Sequence, residues 1–302
     1  MRRAILLTAA VMLASALAGP AHAQFAGGFE INGIGLIDYG RRPDFKVGTW
    51  TRYHVTGQTS MGHVDDYVVT VGVAGEERFW GEDCFWVETE TSSKTGGSSV
   101  LATLMSYSVF DDSLPFPHMQ FYMRKNINDV DAQGQPLEMI SRRPPASIRQ
   151  RNRVERDLKW YIDTLGVDSV HIALGSYLCK RVHIRQDVQV EADKGDSTTS
   201  DESKEDRDSY VSRQVPLTGI VREDIDFKGL RTAWLIGRSK DAPTVVLDHS
   251  TGRAELVGFG YNYRGQMVPE SKRSSIREQE RAAAPTAPAA PASKSKSTHK
   301  SG

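Results

Sequence analysis

The feature that most constrains this chain is an alternation of period two that recurs in short runs, each cut by turn residues. Between Asp66 and Val73, the residues Tyr67, Val69, Val71 and Val73 fall on one face, as a half-buried β-strand requires. Runs of the same kind begin at Val47-Gly48-Thr49-Trp50 and recur at 85–91, 119–124, 137–141, 210–222, 224–227, 231–236, 244–248 and 255–263. Residues 170–190 read as a hairpin turning at Gly175-Ser176, and 99–110 fits a strand or a short helix. Gly57, Gly62, Gly75, Gly81, Gly96-Gly97 and Gly134 separate the runs, which points to antiparallel hairpins.

One stretch breaks the pattern. After Pro144-Pro145, the residues Ile148, Val154, Leu158, Tyr161, Ile162 and Leu165 follow at helical spacing, with Gly166 as the stop, and this predicts an amphipathic helix lying on the sheet. The expected class is therefore α+β, mainly antiparallel β. A single β-rich domain is expected over 45–265, preceded by a glycine-rich lead-in over 24–44. Residues 191–208 are dominated by acids and nearly free of apolar side chains, which predicts a solvated flexible loop. Residues 266–302, increasingly Ala, Pro, Lys and Ser, are expected to form a disordered tail.

Residues 1–23 have the form of a secretory leader: Arg2-Arg3, an apolar core over 4–18, and Ala21-His22-Ala23 as the cleavage signal. Gln24 is the expected mature N-terminus, and a periplasmic location is expected. No cysteine stands at the cleavage point for lipidation. The leader takes two of the 38 basic residues and none of the 38 acidic ones. The slight negative balance that remains gives no reason to expect a nucleic-acid partner. No later segment is long and apolar enough for a transmembrane helix. The two cysteines, Cys84 and Cys179, are expected to pair in an oxidising compartment, the alternative being two separate buried thiols packed as small hydrophobes.

Catalytic patterns are sparse. His63-Val64-Asp65-Asp66 offers part of a metal site without a clustered third donor, so no metal or cofactor is expected. Glu88 and Glu90 share a strand face and read as an exposed acidic pair rather than two carboxylates opposed across a substrate. His54, His171 and His183 lie in different strands without an evident nucleophile, and no G-x-S-x-G, C-x-x-C or phosphate loop is present. No catalytic residue is assigned, and the chain is not expected to be an enzyme. The aromatic residues Trp50, Tyr53, Trp86, Phe121 and Trp234 are the candidates for a ligand-binding apolar surface.

Three passages carry a family resemblance: Phe45 to Tyr53 (FKVGTWTRY), Val170 to Gln186 (VHIALGSYLCKRVHIRQ) and Val215 to Asp224 (VPLTGIVRED). They resemble bacterial envelope proteins of the lipoprotein-carrier and lipoprotein-sorting group, with Leu174 inserted before the hairpin glycine. The resemblance implies a curved sheet forming a half-open barrel, a helix across its mouth and a cavity for acyl chains. The function that follows is a periplasmic binding or carrier protein for a lipid, an acyl chain or a lipoprotein. A cell-envelope scaffold with a protein partner is the second expectation, and a hydrolase the third.

Overall fold

The computed structural model describes residues 46–60, 62, 64–93, 97–111, 122–141, 158–193, 197–235 and 244–283. Eleven strands form one sheet: β1 (Trp50–Thr59), β2 (Val64–Phe79), β3 (Glu82–Ser93), β4 (Gly97–Ser106), β5 (Met123–Val130), β6 (Pro136–Ile140), β7 (Leu158–Ile172), β8 (Gly175–Asp193), β9 (Ser197–Val211), β10 (Ile220–Leu235) and β11 (Thr244–Gly260). Among the described residues one α-helix, α1 (Ile276–Ala283), follows them.

The order β6-β5-β4-β3-β2-β1-β11-β10-β9-β8-β7 places β1 mid-sheet, paired antiparallel with both β2 and β11. The chain walks outward from β1 to the β6 edge, resumes at the β7 edge, and walks back to close on β1. Since β6 and β7 are the two ends of the order, the curved sheet remains unclosed between them.

Local chemistry sets the turns. Trp80 and Gly81 both take positive φ, 52° and 81°, as the tight β2–β3 hairpin demands of its two central residues. Between β5 and β6, Asp131 Oδ1 accepts the backbone N–H groups of Gln133 and Gln135 at 2.9 and 2.8 Å.

The sheet's two faces differ. One carries Tyr53, Val55, Val69, Val71, Val73, Phe85, Val182, Ile184, Ala254 and Leu256, all buried in one cluster. The described pieces lying against this face are the Ser212 to Gly219 loop, through Val215 and Leu217, and a 3-10 turn at Tyr107–Asp111. The sheet is curved and unclosed, and we call this its inner face.

On the outer face the two halves diverge. Strands β8 to β11, β1 and β2 present Arg181, His183, Asp208, Arg222, Asp224, Arg253, His54 and Asp66, joined in ion pairs such as Arg253–Asp224 at 2.6 Å and His54–Asp66 at 2.7 Å. Strands β2 to β5 present Ala74, Cys84, Trp86, Ala102, Leu104 and Ile127, all buried. Their cover is the chain after β11, a strap over 261–275 that leads into α1, with Val268 0% exposed.

Four expectations are corrected here. Residues 158–165, the second half of the expected Ile148–Leu165 helix, belong to β7 and pair with β8 from Leu158↔Val188 onward; residues 148–157 lie outside the described residues. Spacing in so short a segment suits either state, and ladder pairing to β8 decides it. The α-helix among the described residues, α1, packs against β2. The acidic run 191–208 is the end of β8 and most of β9, not a loop, because neighbouring strands answer its charges: Asp208 takes bonds from Arg181 at 2.9 Å and His183 at 3.0 Å. Residues 266–283 are packed structure and extend the domain past 265.

The fourth concerns the cysteines. Cys84 and Cys179 are both free and buried. Cys84 and Cys179 belong to separate buried clusters, on β3 and β8, which are far apart in the strand order. The two thiols are not bonded to each other. Burial pushes each thiol up to about 11. Thiol titration of the purified protein without reductant should therefore give two thiols after denaturation and essentially none before it, and a single titratable thiol or none in the denatured chain would contradict this placement.

Candidate functional site

The inner face is the surface on which a ligand could be held, and strand register orders its side chains into rows. One row runs Val182, Ser209, Glu223, Ala254, Val55, Tyr67 across β8, β9, β10, β11, β1 and β2. The next runs Ile184, Arg207, Ile225, Gly252, Gly57, Asp65 across the same strands. Towards β3 and β4 the face is mainly apolar, with Val69, Val71, Val73, Phe85, Val87 and Met105 buried and threonines such as Thr51 and Thr89 between them. Towards β9 and β10 it turns polar.

Tyr53 anchors the apolar end. Its phenol hydrogen-bonds to the Thr218 hydroxyl and donates to the Ile220 carbonyl at 3.0 Å. Burial pushes its pKa well above the ordinary phenol range. Leu217, held at φ 62° and 3% exposed, inserts beside it. A leucine in that region of backbone space costs on the order of 1 kcal/mol, which packing in the inner cluster offsets.

At the polar end, Ser209 Oγ donates to Glu223 Oε1 at 2.7 Å. The Arg207 guanidinium pairs with Glu205 and stands 3.8 Å from Glu223 Oε2. Arg207 and Glu223 are 3% and 0% exposed, and burial raises the Glu223 carboxyl above its ordinary value.

Of the five aromatic candidates, Tyr53, Trp50 and Trp86 have described side chains, and these three do not share one face. Tyr53 is on the inner face, fully buried and engaged as described. Trp50 is on the outer face, its indole N–H donating to Asn262 Oδ1 at 3.0 Å, with Gly258 and Gly260 leaving room for the ring. Trp86 is also outward, beneath the strap, and donates to Glu77 at 3.1 Å. Trp234 lies in β10 opposite Thr198, and Phe121 lies outside the described residues.

Glu88 and Glu90 do share an outer face, but Glu88 is 0% exposed and serves the strap. His54 pairs with Asp66, while His63 is outside the described residues. Among the described residues no group of His, Cys, Asp or Glu is arranged to hold a metal, and no helix is long and apolar enough to cross a membrane. The inner polar pair escaped the sequence reading because Arg207 fell in the presumed acidic loop. The available signal was Val221-Arg222-Glu223-Asp224-Ile225, where alternation places Glu223 between inward Val221 and Ile225.

No family model matches the chain, and no curated protein sequence matches it. Solved structures similar to it include a candidate lipoprotein from Parabacteroides distasonis, 12% identical over 72% of this chain and 97% of that one, TM-score 0.29. Another is a candidate exported protein with a YmcC-like fold from Bacteroides fragilis, 12% identical over 72% and 97%, TM-score 0.28. A third is a LolA superfamily protein from Nitrosomonas europaea, 8% identical over 81% and 94%, TM-score 0.24.

Proposed function

We propose that this protein is a non-catalytic carrier or binding protein of the bacterial envelope that holds a lipid, an acyl chain or the acyl part of a lipoprotein against the inner face of its sheet. The observation that carries the reading is the unclosed order of the eleven strands, with β6 and β7 unpaired with each other, around a face whose β1 to β4 half is apolar. An apolar interior reached through a lateral gap suits a long flexible chain better than a compact polar substrate. The leader-like N-terminus and the resemblance to lipoprotein carriers support a role outside the cytoplasm. Tyr53, at the floor of the apolar end, is the aromatic candidate retained for ligand contact.

The test is extraction of the purified exported chain with organic solvent, followed by mass spectrometry. The expected result is one amphiphile in near-stoichiometric amount. Its absence, together with no uptake of added fatty acid or phospholipid, would favour the scaffold reading, in which side chains alone fill the interior.

A further inference from the structure

We propose that the polar end of the inner face, built from Glu223, Glu205, Ser209 and Arg207, is a head-group site that receives the ammonium group of an amphiphile. This rests on the carrier reading and specifies its ligand. Three observations point to it.

The first is an orphaned acceptor. Glu223 is 0% exposed, and its Oε2 receives no hydrogen bond. Ser209 serves only the other oxygen, and Arg207, 3.8 Å away, is committed to Glu205. A buried carboxylate oxygen left without a donor is costly, and an incoming N–H would supply what is missing.

The second is charge. Among the described residues of the rows through Ser209, Arg207 and Glu205, Arg207 is the one cation, set against Glu205, Glu223 and, across the sheet, Asp65. An excess of acid over base in a poorly solvated place favours a positive guest and opposes a carboxylate or phosphate. The raised pKa of Glu223 fits a carboxyl that lacks a full counter-charge.

The third is room. Next to Ile225 the row continues through Gly252 and Gly57, which pair with each other in register. Both are part-exposed; the Asp65 carboxylate already stands over Gly57, its Oδ2 3.6 Å from where a Cβ would lie, so the inward position left without a side chain is the one over Gly252. Gly252 is diagonal to Glu223, whose direct partner is Ala254, a separation of roughly 7–8 Å between such positions. Asp65, 3% exposed, closes the far side of the glycine pair. The apolar residues of β1 to β4 begin beyond it, so an ammonium over Gly252 leaves its alkyl chain on the apolar half.

The test uses the chain without residues 1–23 and three probes of one chain length, decylammonium, decanoate and decanol, titrated by calorimetry. Decylammonium should bind at least about tenfold more tightly than decanoate. Glu223→Gln, which keeps shape and removes charge, should erase that preference and leave decanol unchanged. The wild-type comparison stands even if the variant does not fold. Equal binding of all three, or preference for decanoate, would overturn the head-group assignment and leave the carrier reading intact. Failure of all three to bind would overturn both.

Discussion

Glu88→Ala should lower the stability of the domain by about 4 kcal/mol, placing it among the largest single-residue effects in an ordinary protein. Glu88 Oε1 accepts the backbone N–H groups of Met267 and Val268 at 2.9 and 2.8 Å, and Oε2 accepts that of Gln266 at 2.7 Å and the Tyr263 hydroxyl at 3.1 Å. All four donors belong to the strap, so one carboxylate fastens it to β3. The strap's fit leaves no slack: a Cβ on Gly265 would lie 2.9 Å from Glu88 Oε1, one on Gly72 2.5 Å from the Tyr263 ring, and one on Gly75 1.9 Å from the Lys272 carbonyl oxygen. Truncating Glu88 leaves several N–H groups without acceptors at about 1–3 kcal/mol each, partly relieved by water entering as the strap loosens.

At about 2–4 °C per kcal/mol for a domain of this size, the midpoint should fall by roughly 8–16 °C. Glu88→Gln should lose about half as much, since its single amide oxygen accepts from at most two of the donors. Glu90→Ala is the control: Glu90 meets only the Gln266 side chain, at 3.3 Å in an exposed position, and should change stability by less than about 0.5 kcal/mol. Thermal and urea unfolding of the three variants decide the matter. A Glu88→Ala protein within 1 kcal/mol of wild type, on the scale of an ordinary surface change, would refute the clamp.

The same residues explain what could be read in advance. Alternation at Tyr67, Val69, Val71 and Val73 identifies β2 and its inner face, because a strand's side-chain period is local and survives without tertiary information. Asp131 to Gly134 identifies the β5–β6 turn for the same reason. The role of Glu88 is set from 175 residues and more away, by a strap whose contacts through Tyr263, Met267 and Val268 follow no period. A weaker trace did exist: Phe85-Trp86-Val87 is apolar on both faces, which in an antiparallel sheet signals cover on both sides. The acidic run of β9 misleads because composition counts charges without their partners. Asp208 finds Arg181 and His183 on the next strand, and Arg207 finds Glu205 and Glu223. The candidate site was legible only as a class, an apolar face on a bent sheet. Tyr53 alone among the described aromatic candidates is placed inward there, since parity along β1 puts Trp50 on the opposite side.

Where the folded unit ends is the other consequence of the strap. A chain stopped after Gly265, the boundary that composition suggests, should be destabilised by about 5 kcal/mol or more, a large share of the 5–15 kcal/mol typical of whole domains. It loses every backbone donor to Glu88, the burial of Val268, and the Lys272 ammonium that binds Glu77 at 2.9 Å and Glu138 at 3.2 Å. It also loses α1, tied to β2 through the Ile276 N–H on Glu76 Oε2 at 3.0 Å and the Gln279 amide on the Glu76 carbonyl at 2.8 Å. Ala74, Cys84, Trp86, Leu104 and Ile127 would then face water as one apolar patch, a surface that invites dye binding and self-association. A chain stopped after Ala283 keeps all of these contacts and should unfold within about 1 kcal/mol of the full chain. Unfolding curves and fluorescent-dye binding of the two truncations separate the cases. If the chain ending at Gly265 proved as stable as the one ending at Ala283, the strap would be an ornament on the outer face rather than its necessary cover.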